Sequence, residues 1–156
     1  VSGVPAGSGI MVNSNDNVEI FNNRLSSNNT ANIVISSYFS ANYAGQREVA
    51  AEFDPYPELI YIYDNEMSDS GSQPGLDYLV KLRDAIFGPK GAFPDIIWDG
   101  VIDPNKPEGR EVICVDNGDA KLLSIDASNE FANPTVDMTP YQCQIEKLTP
   151  IELSIG

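Results

Sequence analysis

Four oxygen-bearing residues in one short stretch, Asp99, Asp103, Asn105 and Glu108, are the first candidates for chemistry. Carboxylate and amide oxygens at such spacing could serve Ca²⁺, which takes about six to eight oxygen ligands. The order of these residues does not follow the EF-hand pattern, and acidic turns are commonly just solvated. A second set combines aromatic rings with a carboxylate: Tyr38, Tyr43, Tyr61 and Glu19. Rings of this kind could stack on sugars while the carboxylate bonds hydroxyls; the plainer reading is that the rings cover the side of the molecule. No catalytic residue is nominated. A glycosidase needs two carboxyl groups roughly 5–10 Å apart, and Glu19 and Glu66 are expected on different faces. A lyase acting on an acidic sugar needs a cation beside the developing enolate, and Arg24 alone is expected at an outward strand position.

Composition narrows the partners. The 156-residue chain carries 9 Lys and Arg against 23 Asp and Glu, a net charge of −14. Such a surface repels phosphate backbones, so nucleic acid is excluded as a partner. Histidine is absent, which removes the commonest general base and transition-metal ligand. Two cysteines cannot build a zinc site alone. No run of about 18 apolar residues exists, so no membrane insertion is expected.

The elements that must position these residues are short strands. Asp16 to Asn29 lies over Glu58 to Gly71 at an offset of 42 residues, with Ile20/Ile62, Asn23/Asn65 and Ser26/Ser68 identical. Self-similarity at such a period signals stacked repeats. Period-2 alternation then predicts inward rows: Ile10, Val12, Ile33, Ile35, Ile96 and Trp98 on a first sheet, and Val18, Ile20, Ile60, Ile62, Ile113 and Val115 on a second. Leu25 and Met67 would fill a third, and Lys121-Leu122-Leu123 would add its next strand. Asn23 and Asn65 share one bend, where stacked amides can bond up the stack. The outward rows would be Met11, Val34 and Ile97 on the first sheet and Glu19, Tyr61 and Cys114 on the second. Three apolar residues in line need either cover or a partner protein.

Gly9-Ile10-Met11-Val12, Asn17-Val18-Glu19-Ile20-Phe21-Asn22-Asn23 and Asn32-Ile33-Val34-Ile35 resemble the coils of right-handed parallel β-helix proteins of the pectate-lyase-like kind. Val1 to Val12 and Pro94 to Gly100 further resemble a bacterial group known as parallel β-helix domain proteins, which has no settled activity. The resemblance covers about residues 1–125 and implies the C-terminal part of a longer protein. The expected class is thus all-β: a right-handed parallel β-helix of about three coils, with one short lateral α-helix and an irregular C-terminal cap. A β-sandwich is the rival.

Within residues 1–125, two insertions interrupt the coils, 36–58 and 72–93. The first is rich in Tyr and Phe. The second contains a helix over 75–87, opened by Pro74-Gly75 and closed by Gly88-Pro89. Residues 126–156 form a capping tail without repeats. Cys114 on the outer face and Cys143 in the tail are expected to form a disulfide, with two buried free thiols as the alternative. A disulfide fits an oxidising compartment, periplasmic or extracellular. The expected function is polysaccharide binding, or a part in carbohydrate processing. The alternative is a non-enzymatic structural module that docks another extracytoplasmic protein.

Overall fold

The computed structural model of the chain describes residues 4–40, 49–106 and 112–150. Among these residues nine strands follow the alternating segments: β1 Ser8–Asn13, β2 Asp16–Phe21, β3 Arg24–Ser26, β4 Ala31–Ser36, β5 Glu58–Tyr63, β6 Glu66–Ser68, β7 Ile96–Trp98, β8 Ile113–Asp116 and β9 Leu122–Ser124. One α-helix, α1, spans Asp77–Phe87. The strands pair in three parallel sheets ordered β1-β4-β7-β9, β2-β5-β8 and β3-β6. Every pair of these strands is parallel, with only an isolated antiparallel bridge from Ser124 to Thr135, which rules out the antiparallel sandwich.

Register follows side-chain chemistry. Ile33 lies between Ile10 and Ile96 in the first sheet. Ile60 lies between Val18 and Ile113 in the second, and Leu25 faces Met67 in the third. A slip by one residue would turn each row outward, so burial of one face holds the register. The interior contains Val12, Ile20, Ile33, Ile35, Ile60, Ile62, Ile96, Trp98, Ile113 and Val115, with Ile10, Val18, Leu25 and Met67 packed at its margin. Even the backbone repeats at the 42-residue offset. Asn17 and Leu59, Asn22 and Asp64, and Ser27 and Asp69 all have positive φ.

The expected class, an all-β right-handed parallel β-helix of about three coils, is corrected here. The described residues form three small parallel sheets of four, three and two strands plus an α-helix, and no single solenoid runs through them. The break comes after β8. Asn117 to Ala120 make one tight turn, closed by the Ala120 N–H donating to the Asn117 carbonyl at 3.1 Å. That turn is too short to contain both a corner and a third-sheet strand. Leu122–Ser124 therefore pairs with Ile96–Trp98 in the first sheet, where Lys121-Leu122-Leu123 was expected to extend the third.

The helix covers the first sheet. Leu79 is buried against Val34, Ile97 and Leu123, with Leu76, Leu82, Ile86 and Phe87 around it and Met11 at the edge. The apolar outward row is thus interior, and it offers no docking face. Close approach is built in before the helix: Gly71 has φ +78°, and a Cβ there would collide with the Phe93 backbone.

Candidate functional site

The 36–58 insertion builds an aromatic patch. Tyr38 packs edge-on against Phe39 and Phe53 with centroids 6.1 and 5.5 Å apart, and Phe39 contacts Tyr56 at 5.5 Å. Phe39 is 53% exposed and Phe53 44%. Edge-to-face packing of this kind fixes rings in place while leaving their other faces open.

The acidic loop after β7 clamps this patch at both ends. Asp99 is buried and accepts hydrogen bonds from the Ser37 N–H and the Ser40 hydroxyl, while its other oxygen accepts from the Val101 N–H. It thereby anchors the start of the insertion. Lys106 anchors the end, bonded to Glu58 at 2.7 Å and Asp54 at 3.2 Å, with Asp103 3.9 Å away. The hydrogen bond to Glu58 is the main reason the Lys106 ammonium is held above its ordinary pKa. Burial, then the charges of Asp103 and Asp54, push the Tyr56 phenol up.

The oxygen spacing of this loop suggests a Ca²⁺ site, and the geometry gives its described residues other partners. Asp99 serves the backbone of the insertion, and Asp103 accepts from Asn105 N–H and Nδ2 at 2.8 and 3.1 Å. Among the described residues no group of three or more His, Cys, Asp or Glu converges as metal ligands would. Glu108 lies outside the described residues, as does Tyr43 of the aromatic set.

Glu19 and Tyr61, expected as part of an open sugar-binding face, lie under the tail instead. Tyr61 and Tyr63 are buried with Cys114 beneath Cys143 and Ile145. Cys114 and Cys143 are joined as a disulfide with Cα atoms 4.9 Å apart. Further along the tail, Lys147 sits over the Tyr63 ring at 4.0 Å, and Leu148 N–H donates to Glu19 at 3.0 Å. An outward row of Glu, Tyr and Cys is thus an attachment strip, because the disulfide pins the tail along it. Of the expected ligand-binding residues, Tyr38 alone stands in the open patch among those described.

A second feature lies where the third sheet stops. Glu66 and Met67 of β6 line an open recess of about 430 Å³ together with the Asn117-Gly118 turn. Asp64, Glu66, Asp95, Asp116 and Asp119 surround it. Here Asn117 extends the expected Asn23–Asn65 pair to three rungs. Asn23 Nδ2 donates to Asn65 Oδ1 at 2.9 Å, and Asn65 Nδ2 donates to Asn117 Oδ1 at 3.0 Å. The third rung was not seen in the sequence, because Asn117 follows Asn65 by 52 residues and not 42. Its Asn-Gly context read simply as a turn.

The chain matches no protein-family model, and no curated protein or solved structure is significantly similar to it.

Proposed function

We propose that the protein is a non-catalytic, polysaccharide-binding protein of an oxidising compartment outside the cytoplasm. The observation that carries this reading is the exposed aromatic patch of Tyr38, Phe39, Phe53 and Tyr56, fixed by its own ring packing and clamped by Asp99 and Lys106. Ring faces held open in this way suit the apolar C–H faces of pyranoses, and a preformed surface lowers the ordering cost of binding. Asp54, next to Phe53 and with its side chain 43% exposed, supplies an acceptor for sugar hydroxyls. The net charge of −14 favours neutral glycans over uronic-acid polymers. The disulfide supports the compartment, since such bonds persist where thiols are not kept reduced.

Affinity electrophoresis through gels containing β-glucan, xylan, galactomannan or polygalacturonate tests the reading. At least one neutral polymer is expected to retard the protein, and polygalacturonate is not. Phe39→Ala with Phe53→Ala is expected to abolish the retardation while the protein stays folded with a modestly lowered thermal transition, because both rings are about half exposed and lie outside the strand core. Equal migration in all four gels, or retardation indifferent to the double substitution, would overturn it.

A further inference from the structure

We infer that the free edge of β6 is a docking site for an extended, basic segment of a partner protein, which adds a third strand parallel to β3 and β6. β6 pairs with β3 on one side, and its other edge faces no strand among the described residues. The chain itself shows how that edge is satisfied. Asn117 Oδ1 accepts from the Asn65 N–H at 2.7 Å, and Asn117 Nδ2 donates to the Asn65 carbonyl at 2.9 Å. A side-chain amide thus stands where the backbone amide of a neighbouring strand would stand, one residue before β6 begins.

The Asn117 amide ends there, and the edge continues. The Glu66 N–H points the other way, donating to the Asn23 carbonyl at 2.9 Å. Strand alternation therefore turns the N–H and C=O of Met67 toward the recess, on the same side as those of Asn65. An incoming strand would carry on the line that Asn117 starts. Pairing of this kind takes its affinity from main-chain bonds and its specificity from alternate side chains.

Side chains around the edge define the occupant. The inward position opposite Met67 calls for one apolar residue, as Leu25 supplies on the other side of β6. The outward position opposite Glu66 calls for Lys or Arg, as Arg24 supplies on the other side with its Nε 3.4 Å from the Glu66 carboxylate. Asp64, Asp95, Asp116 and Asp119 surround the recess with further negative charge, and no basic side chain among the described residues lines it. Charge complementarity therefore selects a cationic strand and repels acidic ones, including other copies of this strongly acidic chain.

The test uses the full chain and a fluorescein-labelled six-residue peptide, Gly-Arg-Leu-Ser-Lys-Gly, blocked at both ends. A second peptide is identical except for N-methylation of Leu and Ser, which removes main-chain donors and keeps charge. The unmodified peptide is expected to bind, the N-methylated one about tenfold more weakly, and Glu66→Gln with Asp119→Asn to weaken binding about tenfold again, each being about 1.4 kcal/mol. Both acids are at the surface, so the substituted protein remains folded. Hydrogen exchange should slow at Met67 when peptide is added. Equal affinity for the two peptides would reduce the site to plain charge attraction and overturn the inference. So would absence of binding at millimolar peptide, or exchange at Met67 unchanged at saturation.

Discussion

Asn23 and Asn65 stand one rung apart at the same bend, and Asn65 Oδ1 accepts from both the backbone N–H and the Nδ2 of Asn23, at 3.0 and 2.9 Å. Asn65 in turn donates to the carbonyls of Ile20 and Tyr63 at 2.8 and 2.9 Å. One side chain thereby joins β2, β5 and the turn after β8. The bend is locked by amides whose donor and acceptor capacity are both used.

Asn65→Ala should destabilise the protein by about 2–3 kcal/mol, since several half-buried backbone groups lose partners together. Asn65→Asp keeps the acceptor for Asn23 but places a carboxylate oxygen against the Ile20 and Tyr63 carbonyls. It should therefore cost more at pH 7 than at pH 3. Urea unfolding at both pH values checks the two expectations.

Removal of the disulfide should release the tail. Cys114 and Cys143 are 29 residues apart in sequence, and closing a loop of that size stabilises by about 3.5 kcal/mol in the chain-entropy view. The Cys114→Ser, Cys143→Ser double variant should lose about that much. It should also become sensitive to limited proteolysis within residues 143–150, with Tyr61 fluorescence changing as the face opens. Proteolysis at the wild-type rate would show that the tail is held by its other contacts.

Lys106 predicts a pH dependence at the alkaline end. Its folded pKa lies above the ordinary 10.5, chiefly through the bond to Glu58. A raised pKa contributes stability that is fully present below 10.5 and disappears as pH rises through the folded value. Lys106→Met should cost about 2 kcal/mol at pH 7, because it strips a cation from the buried Glu58 carboxylate. The difference in Tm between wild type and variant should shrink above pH 10.5. A difference constant from pH 7 to 12 would show that the charge contributes nothing.

Asp16 predicts the opposite remedy at the acid end. Its pKa is raised above 3.8 by burial first, then by the charges of Asp54 and Glu58, the latter directly across the sheet. A carboxyl raised in this way binds protons more tightly when folded, so its charged form opposes folding above its folded pKa. Asp16→Asn should therefore raise Tm at pH 7. The gain should diminish as pH falls through the folded value and vanish below 3.8, where the wild-type carboxyl is protonated in both states. Thermal melts of the two proteins between pH 3 and 7 give the sign directly.

Much of the local structure was legible. The rows Ile10, Ile33, Ile96 and Val18, Ile60, Ile113 could be read because a strand's side chains alternate with period 2 whatever lies beside it. Asn23 and Asn65 could be paired because two equivalent bends 42 residues apart share their residue types. The helix was legible from its own periodicity between Pro74-Gly75 and Gly88. The candidate site was legible only in part. Tyr38 and its aromatic neighbours announced a patch, but Glu19 and Tyr61 looked equally available. Their alternation is silent on the tail, and the signal that covers them is the pairing of Cys114 on that row with Cys143, which pins the tail across the outer face. The acidic loop looked like an ion site, because carboxylates suit a metal, a lysine or a backbone N–H alike.

By itself, then, the amino-acid sequence determined which residues face inward, where the chain bends and which cysteine lies on the outer face. Each of these depends on a few neighbours along the backbone. Tertiary structure decided that β9 returns to the first sheet, which leaves β6 with an edge unpaired among the described residues, and how the tail beyond Cys143 lies along the Tyr61 face. These outcomes turn on the reach of a four-residue turn and on contacts between segments far apart in the chain, and no local pattern encodes them.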